Sequence, residues 1–221
     1  MLPTTFYDRE APLVAKELVG KVVRRKHGNI WLSACIVETE AYGSDKGNHA
    51  WLGRTPAREA MWAPSGTIYM YLSLGGDSLN ISVRGQGHVV LIKGGRPWID
   101  RFSGVEALEA MHKFNPGSKG NRKDYKLLAG QSLFAKALDL KVSAWNGEQF
   151  DPGRFFIEDT GYRPASIIRC RRLGLPEHRA PDLMLRYVDE SHVRSATQNP
   201  LGKKSWKEGI DYQRLKREDA P

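Results

Sequence analysis

Two carboxylates and a phenol recur at every second position in Val37-Glu38-Thr39-Glu40-Ala41-Tyr42, directly after an apolar run that starts at Ile30. An extended chain alternates its side chains, so Glu38, Glu40 and Tyr42 share one face. The run Ile30-Trp31-Leu32-Ser33-Ala34-Cys35-Ile36-Val37 has the composition of a buried strand, and carboxylates at its exit are candidates for partial burial. A partly buried Glu is a potential general base. The bland alternative is a pair of solvated acids at a strand end, the ordinary fate of acidic neighbours.

The rest of the chain must position that stretch. Its 221 residues suit one domain with a substantial core. With 34 Lys and Arg against 25 Asp and Glu, the formal charge of +9 favours a polyanionic partner, nucleic acid before membrane. Cys35 and Cys170 both sit in apolar runs and read as buried free thiols, which imply neither a disulfide framework nor a thiolate metal site and fit a reducing cytoplasm. No apolar run reaches the roughly 18 residues of a membrane span, and the N-terminus lacks an export pattern.

In chain order, Asp8 can cap a helix carrying Leu13, Val14, Leu18 and Val19, which Gly20 stops. Lys21 to Arg25 and Ile30 to Tyr42 read as an antiparallel strand pair joined at Gly28-Asn29. A polar loop from Gly43 to Gly53 contains His49, and Thr55-Pro56 opens a short helix through Met61 and Trp62. Gly66 to Leu74 and Asp77 to Arg84 flank a Gly75-Gly76 turn, a strong hairpin signal. That hairpin carries an apolar Leu74 to its tip, while Tyr69, Tyr71 and Ser73 share one face. Val89 to Lys93 continues the sheet and ends in a cation.

Taken together, these motifs resemble the alkyladenine (3-methyladenine) DNA glycosylases of the mixed α/β type. The resemblance rests on Phe6-Tyr7-Asp8-Arg9, Leu18-Val19-Gly20-Lys21, Ile36 through Tyr42, His49-Ala50, Gly53-Arg54-Thr55-Pro56, Met61, Gly66 through Tyr71, Gly75, Leu79-Asn80, Ala137-Leu138 and Leu185-Arg186-Tyr187-Val188. Each motif is weak alone, but their order and spacing are specific from residue 6 to about residue 195. The resemblance implies that Glu40 is the general base that activates the attacking water. It also implies that Tyr42, His49 and Tyr71 sandwich a flipped purine, that Asn80 forms the pocket floor and opposes the 2-amino group of guanine, and that Glu38 is structural. These roles suit the residue types: a carboxylate beside the sugar can deprotonate water and stabilise oxocarbenium charge, and aromatic faces stack on many bases.

The departures fall at Leu74, where the family usually has a tyrosine wedge, and at Lys93, where it usually has an arginine helping to hold the water. Leucine offers less stacking area, and lysine lacks the planar fork that orients two oxygens. The family's Gly-Pro-x-Lys-Leu turn appears as Gly130-Gln131-Ser132-Leu133, one lysine short. Lys119 through Lys126 and Arg169-Cys170-Arg171-Arg172 are substitute phosphate contacts, or else ordinary solvated charge. The expected protein is a single α+β domain over residues 1–201, with a curved, largely antiparallel sheet, peripheral helices and a protruding DNA-inserting hairpin. Residues 202–221 form a basic extension, flexible or a short helix. The expected activity is that of a monomeric, cofactor-free and metal-free glycosylase that releases alkylated or deaminated purines from double-stranded DNA, with Glu40 and Lys93 catalytic. It is expected in the cytoplasm, nucleoid-associated in a bacterium. A relative that binds damaged DNA without excising bases is the alternative, and a metal-dependent nuclease using Glu38, Glu40 and Asp45 is a third reading.

Overall fold

A computed structural model of the chain describes residues 1–73, 75–179 and 183–216. Helices α1 (Thr4–Tyr7) and α2 (Ala11–Leu18) precede strands β1 (Val22–His27), β2 (Ile30–Tyr42), β3 (Ile68–Ser73), β4 (Gly76–Ser82) and β5 (Val89–Pro97). Helices α3 (Val105–Phe114), α4 (Asp124–Leu127), α5 (Gln131–Ala137) and α6 (Val142–Trp145) follow. Strands β6 (Phe155–Glu158), β7 (Ser166–Cys170), β8 (Arg186–Asp189) and β9 (Tyr212–Lys216) come last. Every pairing between these strands is antiparallel. The sheet order is β3-β4-β5-β2-β8-β7-β9, with β1 beside β2 and β6 beside β1, which is the expected α+β class.

β2 is the spine because its 13 residues are long enough to serve several neighbours. Its first half, Ile30 to Cys35, pairs with β1, Glu38 to Glu40 with β8, and Ala34 to Tyr42 with β5. Leu32, Ala34 and Ile36 point into the main core. A register shift against β5 between Ile36 and Thr39 then inserts a bulge, and such an insertion bends the strand and resets its alternation. Beyond it Ala41 returns to the main core and the Thr39 hydroxyl donates to the Ala15 carbonyl at 2.8 Å. Glu40 and Tyr42 are thereby turned to the opposite face.

Helix α2 anchors the core side through Val14, Ala15 and Leu18, none of them exposed. Burying Leu18 contributes about 2 kcal/mol, and Leu18→Ala would cost about 2–5 kcal/mol once the cavity is counted. Its N-cap is Glu10, and Asp8 instead closes α1 as that helix's C-cap. Pro12, in the first turn, explains the later start, since its fixed φ suits a helix's first positions. Leu13 points outward, 39% exposed. Thr55 does precede a helix, but the Pro56–Trp62 segment is a 3-10 helix and the Thr55 side chain makes no capping bond.

Two further expectations need correction. In the β3–β4 hairpin Ser73 pairs with Gly76, so Gly76 already belongs to the strand and the Gly75-Gly76 pair is not the turn itself. Gly76 has φ 123°, a conformation that glycine tolerates and most residues do not. Leu74 lies outside the described residues. Residues 212–216 are neither a helix nor a free tail: they form β9, an edge strand on β7. Tyr212 packs beside Ile168 and Val188 on one face, while Leu215 packs on the main core from the other, so the strand has apolar contacts on both sides.

Candidate active site

On the sheet face away from α2 lies a cavity of about 850 Å³, lined among others by Tyr42, His49, Tyr69, Tyr71, Asn80, Lys93, Gln131 and Leu173. It is several times the size of one nucleobase and within the range of small-molecule sites. Strands β2, β3, β4 and β5 supply its floor, and the loop after β2 and the segments around residues 130 and 173 supply its walls.

Glu40 has no solvent exposure and lies directly behind Tyr42, Lys93 and Leu173 of the cavity lining. Its Oε1 accepts the Leu173 backbone N–H at 2.9 Å, and its Oε2 accepts the Tyr42 hydroxyl at 2.7 Å. The Lys93 ammonium lies 3.5 Å from Oε2. Burial and the adjacent Glu40 carboxylate hold the Tyr42 phenol well above the ordinary tyrosine range, so at neutral pH it is a donor. The Arg172 guanidinium covers the Tyr42 ring at 4.5 Å. It is fixed there by Asp45, at 2.5 and 3.2 Å, and by the Ala41 carbonyl at 2.9 Å.

His49 and Tyr71 meet edge to face with centroids 4.5 Å apart, and Tyr69 lies 5.7 Å from Tyr71. These rings touch, so they form one continuous wall rather than two sides of a slot. The His49 Nδ1 is 3.2 Å from the Tyr69 hydroxyl. Desolvation, with Arg58 and Arg179 nearby, lowers the His49 pKa, so the ring is neutral at pH 7. Asn48 is buried and ties the loop down: its Nδ2 donates to the Gly43 and Gly87 carbonyls at 2.7 and 2.9 Å. Asn80 pairs with Tyr69 across the hairpin, and its Nδ2 donates to the Tyr69 carbonyl at 3.2 Å.

Of the seven residues singled out from the sequence, Tyr42, His49, Tyr71, Asn80 and Lys93 line one cavity, Glu40 lies behind that lining in contact with Tyr42 and Lys93, and Leu74 lies outside the described residues. Three participants were missed. The Leu173 N–H is a backbone group with no side-chain signal. Arg172 belonged to a cluster read as surface charge, yet it is buried against Asp45, and the Arg169 Nε donates to the Met184 carbonyl at 2.8 Å. Gln131 stood in a turn scanned only for its absent lysine. Glu38, Glu40 and Asp45 do not converge, and among the described residues no three His, Cys, Asp or Glu side chains are grouped as a metal site would require.

A dry carboxylate held by two donors and flanked by an ammonium can take a proton from water and face a developing cation, while the aromatic wall offers π-surface to a planar ring. Fold and cavity together describe an α+β domain with a buried carboxylate behind an aromatic-walled cavity. A family model described as "Methylpurine-DNA glycosylase (MPG)" matches residues 5–193. A Pseudomonas aeruginosa PAO1 protein named "Putative 3-methyladenine DNA glycosylase" is 49% identical over 220 residues, covering 99% of this chain and 92% of its own. Relatives of the same name from Pseudomonas savastanoi pv. phaseolicola and Koribacter versatilis are 48% and 30% identical, covering 96% and 85% of this chain and 95% and 88% of theirs. The chain belongs to the methylpurine-DNA glycosylase family, and so to the DNA-repair glycosylases that act on alkylated bases in DNA. No helix among the described residues is long and apolar enough to cross a membrane.

Proposed function

We propose that the chain is a monofunctional, monomeric glycosylase that turns an alkylated or deaminated purine out of duplex DNA and hydrolyses its N-glycosidic bond, leaving an abasic site. The observation that carries this reading is Glu40, fully buried and held by two donors, Tyr42 and the Leu173 N–H, whose residues line an aromatic-walled cavity. The flipped base lies between Tyr42 on one side and the His49–Tyr71 wall on the other. Neutral rings suit it, because alkylated purines are electron-poor and often cationic, and a protonated His49 would repel them.

Glu40 is the general base. As the C1′–N bond breaks, its electron pair leaves with the purine and charge grows on the sugar. Water then bonds to C1′ while Glu40 takes its proton, so no lysine nucleophile is required. Lys93 steadies Glu40 and the water, and Asn80 disfavours guanine by leaving its 2-amino group unpaired or clashing. Leu74 is assigned the wedge from sequence resemblance alone. The surplus of cations neutralises backbone phosphates.

The test uses a duplex with one 7-methylguanine or 3-methyladenine analogue in excess EDTA. The expected products are free base and a strand that stays intact until alkali cleaves it at the abasic site. Tight binding without released base supports the non-excising alternative, direct strand nicking refutes the monofunctional assignment, and loss of activity restored by magnesium supports the nuclease reading.

A further inference from the structure

Lys93 is buried, yet little holds its charged end. The ammonium stands 3.5 Å from Glu40 Oε2, long for a charge-assisted hydrogen bond, and 3.0 Å from Gln131 Oε1. An ammonium can only donate, so the Gln131 atom facing it is the carbonyl oxygen, which sends the amide nitrogen the other way. There the nitrogen meets hydroxyls that can accept: Ser78 Oγ at 2.9 Å, Ser73 Oγ at 3.3 Å and Tyr71 OH at 3.4 Å. Both ends of the side chain are therefore engaged, one on Lys93 and the other on the β3–β4 hairpin. Its backbone is placed as firmly: Gln131 is the first residue of α5, after Gly130 at φ 134°, which only glycine adopts readily.

We propose that Gln131 is a positioning residue for base release, setting the Lys93 ammonium beside Glu40 and tying it to the strands that carry the aromatic wall. This rests on the reading of Glu40 and Lys93 given above. The physical reason is the lysine stem: a flexible four-carbon chain with a point charge has no fork to lock onto a carboxylate, so a second anchor must choose its rotamer. A spacer that also touches Tyr71 makes the ammonium's position depend on the wall a base would press against.

The test is single-turnover release from a 7-methylguanine duplex, with duplex affinity measured alongside. Gln131→Met keeps the length but neither polar end, and its rate is expected to fall about tenfold or more with affinity within about threefold. Gln131→Glu keeps the acceptor at the same reach and is expected to stay within about threefold of wild type, whereas Gln131→Asn, too short to span, follows Gln131→Met. In a Lys93→Met background the Gln131→Met change is expected to alter the residual rate less than about twofold, because the group it acts through is gone. Wild-type rate in Gln131→Met, or an equal penalty in both backgrounds, overturns the proposal. If Gln131→Met does not fold or Lys93→Met is too slow to measure, the Glu-against-Asn contrast decides: equal rates for those two variants overturn it. Glu40→Gln is run beside them, and a fully active Glu40→Gln refutes the general base separately from the Gln131 result.

Discussion

Glu38 and Glu40 are the same residue type, two positions apart on β2, both without solvent exposure, and their surroundings differ in countercharge and in nearness to the cavity. Glu38 is finished. Its Oε1 accepts Arg186 Nε at 2.6 Å, its Oε2 accepts the Thr197 N–H at 2.7 Å, and the same guanidinium goes on to the Gln198 carbonyl at 2.5 Å. The Arg186 side chain is as buried as its partner. Glu40 has a phenol, a peptide N–H and an ammonium at 3.5 Å but, among the described residues, no guanidinium hydrogen bond, and the residues that supply them, Tyr42, Leu173 and Lys93, line the cavity. Burial alone therefore does not mark a catalytic carboxylate. The proposed base differs from Glu38 in lacking a guanidinium hydrogen bond among the described residues and in having cavity-lining neighbours.

The sharpest way to break this comparison is Glu40→Gln, which keeps shape and removes the base. Release is expected to fall by about three orders of magnitude while lesion-duplex binding stays within about tenfold, read by single-turnover assay and gel shift. Substantial turnover would remove the distinction between the two residues. Next in size is Arg186→Met, which strands Glu38 as an unpaired buried charge. It is expected to cost about 3–5 kcal/mol in denaturant unfolding, against a far smaller change for Glu40→Gln.

Tyr42→Phe is milder. It deletes one donor to Glu40 and is expected to slow release about tenfold, with unfolding little changed. The wild-type phenol also makes a pH statement. Its folded pKa lies above the ordinary 10.0, so the protonated form is favoured by folding. The associated stability is fully present below pH 10 and is lost as pH rises from there toward the folded value. An alkaline unfolding series should show that loss in wild type and less of it in Tyr42→Phe. The smallest effect expected is in Asn80→Ser, a several-fold shift in release toward guanine-type lesions over adenine-type ones in matched duplexes. An unchanged ratio would put discrimination elsewhere in the cavity.

Much of the scaffold was legible. The strand from Ile30 to Tyr42, the Gly28 turn and the β3–β4 hairpin all depend on neighbours within a few residues, where composition, backbone sterics and turn residues decide the outcome. The buried thiols Cys35 and Cys170 were legible for the same reason. Local reading failed where a charge found a distant partner. Arg172 looked like one more cation in a basic run because Asp45 stands 127 residues away. The strand at Tyr212–Lys216 was hidden because its basic composition outweighed two apolar residues whose contacts lie on β7 and β8 and in the main core.

What the sequence by itself determined is that β2 delivers Glu38, Glu40 and Tyr42 to one face of a strand; that Tyr71, Asn80 and Lys93 lie near them is set by the strand order β3-β4-β5-β2. Which glutamate is silenced and which left open was decided only by tertiary structure. Leu173, Arg186 and Thr197 reach these carboxylates from 133, 148 and 159 residues away. Hydrogen bonds and desolvation depend on distance in space, and a spacing of two along a strand says nothing about which side chain meets a guanidinium and which meets a phenol and an ammonium beside a cavity.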